Sequence, residues 1–161
     1  MGHNMPQDYF SKISSFDSLT GPSRNCFICG NNNPSGLKVC FRKCEPGVVI
    51  AEFIPPNHLN GFKGVLHGGI ISAVLDDAMD WAIYSATGKW YVTVQMTVNF
   101  KKTVPVAEKL RVKGWITSED GKIKKIQFAK AELTNLSGDI LASSEGKFFQ
   151  IPEDKAREII L

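Results

Sequence analysis

No stretch of this sequence is apolar for long enough to cross a lipid bilayer. A membrane-spanning helix needs about 20 consecutive apolar residues, and polar or charged residues interrupt every apolar stretch of this chain well before that length. Residues 1–10 also lack the basic segment followed by an apolar segment that is typical of a secretory signal. We therefore expect a cytoplasmic protein that does not associate with membranes.

The chain also lacks a strong excess of charge of one sign. Its 19 Lys and Arg residues against 16 Asp and Glu residues give a net charge of +3 over 161 residues. The basic residues are spread along the chain and form only short clusters, such as Lys101-Lys102. Domains that bind nucleic acids usually carry a larger basic surface. We expect no nucleic-acid partner, although a few lysines would favour a small anionic ligand.

Histidine is scarce, with 3 residues, and none lies near the 4 cysteines to complete a familiar metal site. Cys26 and Cys29 have C-x2-C spacing and Cys40 and Cys44 have C-x3-C spacing, and both spacings are compatible with zinc. The second pair, however, falls within an alternating segment that is typical of a strand. We expect reduced thiols that fill small spaces, with no metal bound, and keep a structural zinc site as the alternative.

The residue patterns predict one long helix in a strand-rich chain. Apolar residues recur at helical spacing over residues 68–86, and Thr87-Gly88 is a typical helix end. Alternating residues predict strands at 37–44, 48–54, 91–100, 109–117, 125–134 and 140–151. Short connections, such as the turn predicted at residues 119–121, indicate hairpins and therefore antiparallel pairing. This is an α+β layout.

The chain length fits one domain with less regular ends. Residues 1–24 are expected to form an N-terminal arm, residues 25–152 the domain, and residues 153–161 a C-terminal tail with a short helix. Inside the domain, the Asn-, Gly- and Pro-rich residues 25–36 are expected to turn. Residues 57–66 are expected to form a Gly-bearing loop that leads to His67.

The start of the predicted helix carries the motif HGG, at residues 67–69, and an acidic residue, Asp76, follows nine positions after the His. With CFICGNNNPSGL before it and VTVQMTVNF after it, this segment resembles the PaaI-like thioesterases of the hotdog superfamily over about residues 26–151. The resemblance implies a hotdog fold, in which an antiparallel sheet wraps around one long central helix. It also implies an enzyme that hydrolyses an acyl-CoA substrate to a free acid and coenzyme A without a metal or redox cofactor.

The resemblance assigns roles to residues around this motif. The N–H group of Gly68 or Gly69 would polarise the thioester carbonyl, because the first N–H groups of a helix are unpaired and lie at the positive end of its dipole. Asp76 would act as nucleophile or general base, and its position among apolar residues is costly unless it is paired or used. Thr93 would orient the attacking water. His67 would shape the turn or orient the substrate.

The loop before the motif departs from the family pattern. Many relatives place an Asn six residues before the His, whereas this chain has Gly61 there and Asn60 one position earlier. We expect Asn60, Gly61 and Phe62 to contribute to substrate binding. Several more aromatic residues could line an acyl pocket or equally pack in the core: Trp81, Tyr84, Trp90 and Tyr91.

The spacing of His67 and Asp76 predicts a dimer. Nine helical residues amount to a net half-turn and a rise of about 13 Å, so the two side chains cannot easily meet within one chain. Two chains with antiparallel central helices side by side would bring them together in two equivalent sites. We expect a homodimer, with a homotetramer built as a dimer of dimers as a further state.

Two other functions remain open. A non-catalytic hotdog module could bind acyl-CoA or a related ligand and could dispense with Asp76. A hotdog dehydratase or hydratase would need a different arrangement of His and acid, which this sequence does not show. A serine hydrolase lacks support because there is no G-x-S-x-G motif.

Overall fold

A computed structural model describes residues 8–19, 24–117 and 124–160 of the chain. The predicted turn at residues 119–121 and parts of the N-terminal arm (residues 1–7 and 20–23) lie outside the described residues. The elements in chain order are α1 (Asp8–Ser11), β1 (Asp17–Ser18), β2 (Arg42–Glu45), β3 (Val48–Phe53), β4 (Asn60–Phe62), β5 (Val65–Leu66), α2 (Gly68–Thr87), β6 (Tyr91–Phe100), β7 (Leu110–Ile116), β8 (Ile126–Thr134), β9 (Ile140–Gln150) and α3 (Glu153–Ile160).

Seven strands form one antiparallel sheet, in the order β1-β2-β3-β7-β8-β9-β6. Helix α2 packs against this sheet and contacts β3, β6, β7, β8 and β9. The α+β prediction is confirmed. In the described parts of the chain, no helix combines the length and apolar character that crossing a bilayer requires.

The core lies between α2 and the sheet. Helix residues on several sides are fully buried, as expected for a helix that is apolar around most of its circumference: Val74, Leu75, Ala78, Met79, Ala82 and Ile83. The helix ends at Gly88, whose left-handed backbone (φ 63°) lets its N–H donate to the Tyr84 carbonyl at 2.8 Å. The predicted helix and its Gly end are therefore confirmed.

The first predicted strand was wrong in its first half. Strand β2 begins only at Arg42, and Lys38 has a left-handed backbone with φ 53°, which interrupts the extended chain. The N–H groups of Leu37 and Val39 instead donate to the carbonyls of Phe27 and Ile28, at 2.9 and 2.8 Å. Alternation in this segment reflects burial of Val39 and Phe41 in the core, while the N–H groups of Leu37 and Val39 bond to the preceding turn and not to a strand.

The loop predicted at residues 57–66 contains regular structure. A 3-10 turn at Asn57–Leu59 precedes the two-stranded hairpin of β4 and β5. The hairpin is joined to the following chain because the Leu66 N–H donates to the carbonyl of Val104 at 2.8 Å. This small sheet holds the chain directly before α2 in a defined position.

Gly114 in β7 lies against α2 where a side chain does not fit. A Cβ atom at this position would overlap the backbone carbonyl of Ala78. Because that carbonyl belongs to the helix backbone, a change of side-chain conformation cannot relieve the overlap. We expect Gly114→Ala to lower the free energy of unfolding by about 3 kcal/mol or more, at the upper end of overpacking costs. Urea unfolding measures this loss.

Gly138→Ala is the matched control for this prediction. Gly138 has a left-handed backbone (φ 87°), but no atom lies within 4 Å of the position that a Cβ atom would take, so the added methyl group meets no neighbour. The substitution should cost only about 1–2 kcal/mol of backbone strain. Equal losses for the two variants would contradict the tight helix-sheet contact at Gly114.

Candidate active site

The start of α2 has one backbone donor with no acceptor in the described parts of the chain. The extended backbone of His67 (φ −62°, ψ 135°) places its imidazole beside the first turn, and Nδ1 accepts the Gly69 N–H at 2.9 Å. The His67 carbonyl accepts from Ile70 and Ile71 at 3.0 and 3.1 Å. The Gly68 N–H is therefore the group available to a ligand at the positive end of the helix dipole.

A cavity of about 620 Å³ lies beside this donor. Gly61, Phe62, His67 and Gly68 all line it, together with apolar residues and two cations: Val65, Leu66, Ile71, Phe100, Val104, Lys101 and Lys102. Lys102 pairs with Asp139 at 3.1 Å. The cavity combines an apolar wall, a positive rim and a free N–H donor.

Gly61 packs closely on His67. A Cβ atom at Gly61 would lie 3.3 Å from Cδ2 of the imidazole, so a side chain there would press on the ring. Asn60 pairs with Leu66 in the β4–β5 hairpin and is not among the residues that line the cavity. This arrangement gives a physical reason for glycine at the position where the family pattern has Asn.

Asp76 and Thr93 form a second group, after the Gly68 donor and its cavity. Thr93 Oγ1 donates to Asp76 Oδ1 at 2.7 Å, from an exposed position on the edge strand β6. Burial raises the pKa of the Asp76 carboxyl above its ordinary value, and the hydrogen bond from Thr93 partly offsets this effect. The hydroxyl group fixes the orientation of the carboxylate.

The Gly68 donor with its cavity and the Asp76–Thr93 pair remain separate within one chain. Helix α2 runs without interruption from Gly68 to Thr87, and neither Asp76 nor Thr93 lines the cavity beside Gly68. The helical geometry predicted for nine residues, a half-turn with a rise of about 13 Å, therefore applies here.

The neighbouring acids occupy different surroundings. The thiol of Cys26 donates to Asp77 Oδ1 at 3.8 Å, and the buried Asp77 Oδ2 has no hydrogen-bond partner among the described residues. Burial, with the nearby Cys26, raises the pKa of Asp77 to about 7. A hydrogen bond from Cys29 lowers the pKa of Cys26 below its ordinary value. Burial also raises the pKa of Asp80 well above its ordinary value. From the sequence alone, Asp77 is distinguished only as a neighbour of Asp76.

The larger aromatic residues pack at the other end of the helix. Trp81, Tyr84 and Trp90 contact one another, with ring centroids 4.3 to 5.9 Å apart. Tyr91 is buried, and its hydroxyl donates to the Lys124 carbonyl at 2.8 Å. Among the aromatic candidates, Phe62 alone lines the cavity beside Gly68.

The family profile described as Thioesterase superfamily matches residues 63–135, which include the HGG motif, α2, β6 and β7. This segment, which is less than half of the chain, is similar to the thioesterase superfamily. A similar curated protein is acyl-coenzyme A thioesterase THEM5 from Mus musculus, which is 27% identical over 115 residues. The match covers 68% of this chain and 43% of that protein, so the chain spans less than half of the relative's length.

Solved structures confirm the predicted hotdog fold. The PaaI protein from the phenylacetic acid degradation operon of E. coli is 18% identical, with a TM-score of 0.65 over 72% of this chain and 81% of that chain. The smu.793 protein from Streptococcus mutans UA159, solved bound to acetyl CoA, is 20% identical, with a TM-score of 0.63 over 70% of this chain and 88% of that chain.

Proposed function

We propose that this chain is a thioesterase superfamily member that hydrolyses an acyl-CoA thioester to a free acid and coenzyme A. The observation that carries the proposal is the Gly68 N–H, which has no acceptor in the described parts of the chain and adjoins a cavity of about 620 Å³. The acyl-CoA thioesterase name of the curated relative and the acetyl CoA bound to a protein of the same fold agree with this chemistry.

In this mechanism the start of α2 binds the reacting carbonyl. The thioester oxygen accepts the Gly68 N–H, and the helix dipole stabilises the negative charge that develops on it. Phe62 and Phe100 offer an apolar surface to the acyl chain. Lys101 lies at the rim of the same cavity, where its charge would favour the phosphates of coenzyme A.

Asp76 supplies the base or nucleophile for the reaction. As a base it takes a proton from water, whose oxygen forms the new bond to the carbonyl carbon while the carbon-sulfur bond breaks. As a nucleophile it attacks the carbon directly and displaces the coenzyme A thiolate, which takes a proton from water, and water then hydrolyses the resulting anhydride to the acid and the free Asp76 carboxylate. In both cases the products are a carboxylic acid and the thiol of coenzyme A. Thr93 holds the carboxylate through its 2.7 Å hydrogen bond.

A homodimer would complete each site by placing Asp76 of one chain near Gly68 of the other. Support comes from β6, a 10-residue strand at the edge of the sheet with Val92, Thr93 and Val94 exposed. A long exposed edge strand is a surface that native proteins normally cover. A second copy that pairs along this edge, with the two central helices antiparallel, would cover it and create two equivalent sites.

A dimer of dimers has separate support on the outer face of the sheet. Val92, Phe149 and Ile126 lie in register on three adjacent strands, β6, β9 and β8. All three side chains are exposed. A row of apolar side chains at this position would be covered when two dimers pack face to face.

The proposed activity is tested by release of free thiol from acyl-CoAs that differ in chain length and in aryl or alkyl character. We expect at least one of them to be hydrolysed with kcat/KM of about 10⁴ M⁻¹s⁻¹ or more. Binding of acyl-CoA measured by calorimetry without any thiol release would contradict the proposal. That result would favour the non-catalytic hotdog module.

A further inference from the structure

Two cysteine sulfurs and a carboxylate meet outside the proposed catalytic site. Cys26 and Cys29 belong to a turn between β1 and β2, and Asp77 lies in the middle of α2. One ligand atom from each residue can be chosen so that all three lie within 4.8 Å of one another. The Cys26 Sγ to Asp77 Oδ1 distance is 3.8 Å. The function proposed above does not use this cluster.

The turn that carries the two cysteines is held in place by its own hydrogen bonds. The Gly30 N–H donates to the Cys26 carbonyl at 3.0 Å, and the Ile28 N–H points to Cys26 Sγ at 3.4 Å. A side chain at Gly30 would overlap the backbone nitrogen of Cys26, so the turn requires glycine there. N–H donors to a sulfur are the outer contacts that orient thiolate ligands around a metal ion.

The core of the protein also fixes this turn. Ile28 is buried between the two cysteines, and its carbonyl accepts the Val39 N–H at 2.8 Å. The neighbouring Phe27 carbonyl accepts the Leu37 N–H at 2.9 Å. Because both sides of the turn are anchored, the two sulfurs are positioned toward α2 before any ligand binds.

Asp77 has one carboxylate oxygen with no partner at this place among the described residues. Its Oδ2 atom is buried and has no hydrogen-bond donor among the described residues. A buried carboxylate oxygen without a partner costs free energy, and such groups in native proteins are normally satisfied by hydrogen bonds or by an ion. The two facing sulfurs are themselves electron-pair donors, so a cation at the centre would satisfy all three groups.

We propose that Cys26 Sγ, Cys29 Sγ and the Asp77 carboxylate bind one Zn²⁺ ion per chain. Zn²⁺ accepts thiolate and carboxylate ligands in tetrahedral geometry, and a water molecule would occupy the fourth position. Two thiolates favour zinc over magnesium or calcium, which select oxygen ligands. The cysteines bind as thiolates and Asp77 as a carboxylate, so any proton that these groups carry is released to solvent on binding.

The Cys26-to-Asp77 distance, and the 4.8 Å within which the three ligand atoms lie, are compatible with this geometry. Zinc-sulfur and zinc-oxygen bonds of about 2.3 and 2.1 Å in a tetrahedron place a sulfur and an oxygen ligand about 3.6 Å apart. The Cys26 Sγ to Asp77 Oδ1 distance of 3.8 Å is slightly longer than this value, and a small movement of the side chains would remove the difference. The ion would fasten the turn at residues 26–29 to the central helix.

The experiment measures zinc in untagged full-length protein. Wild-type protein, stripped with a chelator and reduced, is titrated with Zn²⁺ in competition with a chromophoric chelator, and with Co²⁺ to record thiolate-to-cobalt charge transfer. We expect one ion per chain, a charge-transfer band, and a melting temperature that rises by at least about 5 °C on zinc addition. Cys29→Ser and Asp77→Asn should each weaken zinc binding at least tenfold.

Cys40→Ser is the matched control because Cys40 is exposed and lies outside the cluster. It should bind zinc as tightly as wild type. Circular dichroism of each variant checks that it is folded, and either cluster variant alone suffices if the other does not fold. The proposal is overturned if wild type binds no zinc at micromolar concentration, or if the folded cluster variants bind zinc as tightly as Cys40→Ser. Because zinc is measured directly, the result does not depend on thioesterase activity.

Discussion

Asp76→Asn is expected to reduce kcat for thioester hydrolysis by about 10²- to 10⁴-fold, the range that general acid-base catalysis contributes. Asparagine keeps the shape of the side chain and can still accept the hydrogen bond from Thr93. It loses the charge and basicity that activate water or attack the carbonyl. Stopped-flow or steady-state thiol release with the best acyl-CoA measures the loss.

Asp80→Asn is the control for this variant because Asp80 lies one turn later on the same helix. It removes an acid from the same helix without touching Asp76 or Thr93, and it should retain most of its activity. The proposed role of Asp76 fails if Asp76→Asn is as active as Asp80→Asn. A loss of helix content in Asp76→Asn would be detected by circular dichroism.

Gly68→Pro is expected to reduce kcat by about 10²- to 10³-fold, the effect of removing one oxyanion-hole donor. Proline deletes the N–H of residue 68 and leaves the rest of the helix ladder intact. The position accepts proline because it is the first residue of α2 and the preceding His67 has an extended backbone (ψ 135°). Thiol release at saturating acyl-CoA reports the change in kcat.

Gly68→Ala separates the donor from the added atoms. Its Cβ atom would lie 3.4 Å from Cζ of Phe100, which is ordinary van der Waals contact, and the N–H is retained. We expect this variant to lose much less activity than Gly68→Pro. Similar losses in both variants would show that the added bulk, and not the missing N–H, is responsible.

Together the two inactive variants test the shared site. When Gly68→Pro and Asp76→Asn chains are refolded together, half of the dimers contain one of each, and each of these has one intact site out of two. The mixture should therefore recover about 25% of wild-type activity. A mixture that stays as inactive as its components would place Gly68 and Asp76 of one chain in the same site.

The helix and most strands could be predicted from sequence because their patterns are local. Apolar spacing predicted residues 68–86 against the observed Gly68–Thr87, and alternation located β6 to β9 within about one residue at each end. The segment before Arg42 could not be predicted in this way. Its alternation comes from Val39 and Phe41 being buried in the core, although its backbone bonds to the preceding turn, and the left-handed backbone of Lys38 leaves no sequence signal.

The site could be predicted to the level of residue types but not of individual atoms. The HGG motif indicated an unpaired N–H. Which N–H it is depends on the folded turn, because the His67 imidazole accepts the Gly69 N–H and leaves the Gly68 N–H without an acceptor among the described residues. The contact between Cys26 and Asp77 joins residues 51 positions apart. Such a contact follows from the topology, because the sheet and helix must first assemble before the two side chains meet.

The unbroken course of α2 has a mechanical consequence for the proposed dimer. One rigid helix carries the donor of one catalytic centre at its start and the acid of the other centre in its middle. A bend or axial shift of a single helix therefore changes both centres at once. It moves the donor of one centre and the acid of the other. The two centres cannot be adjusted independently, so ligands or substitutions that displace one helix should alter both turnover rates together.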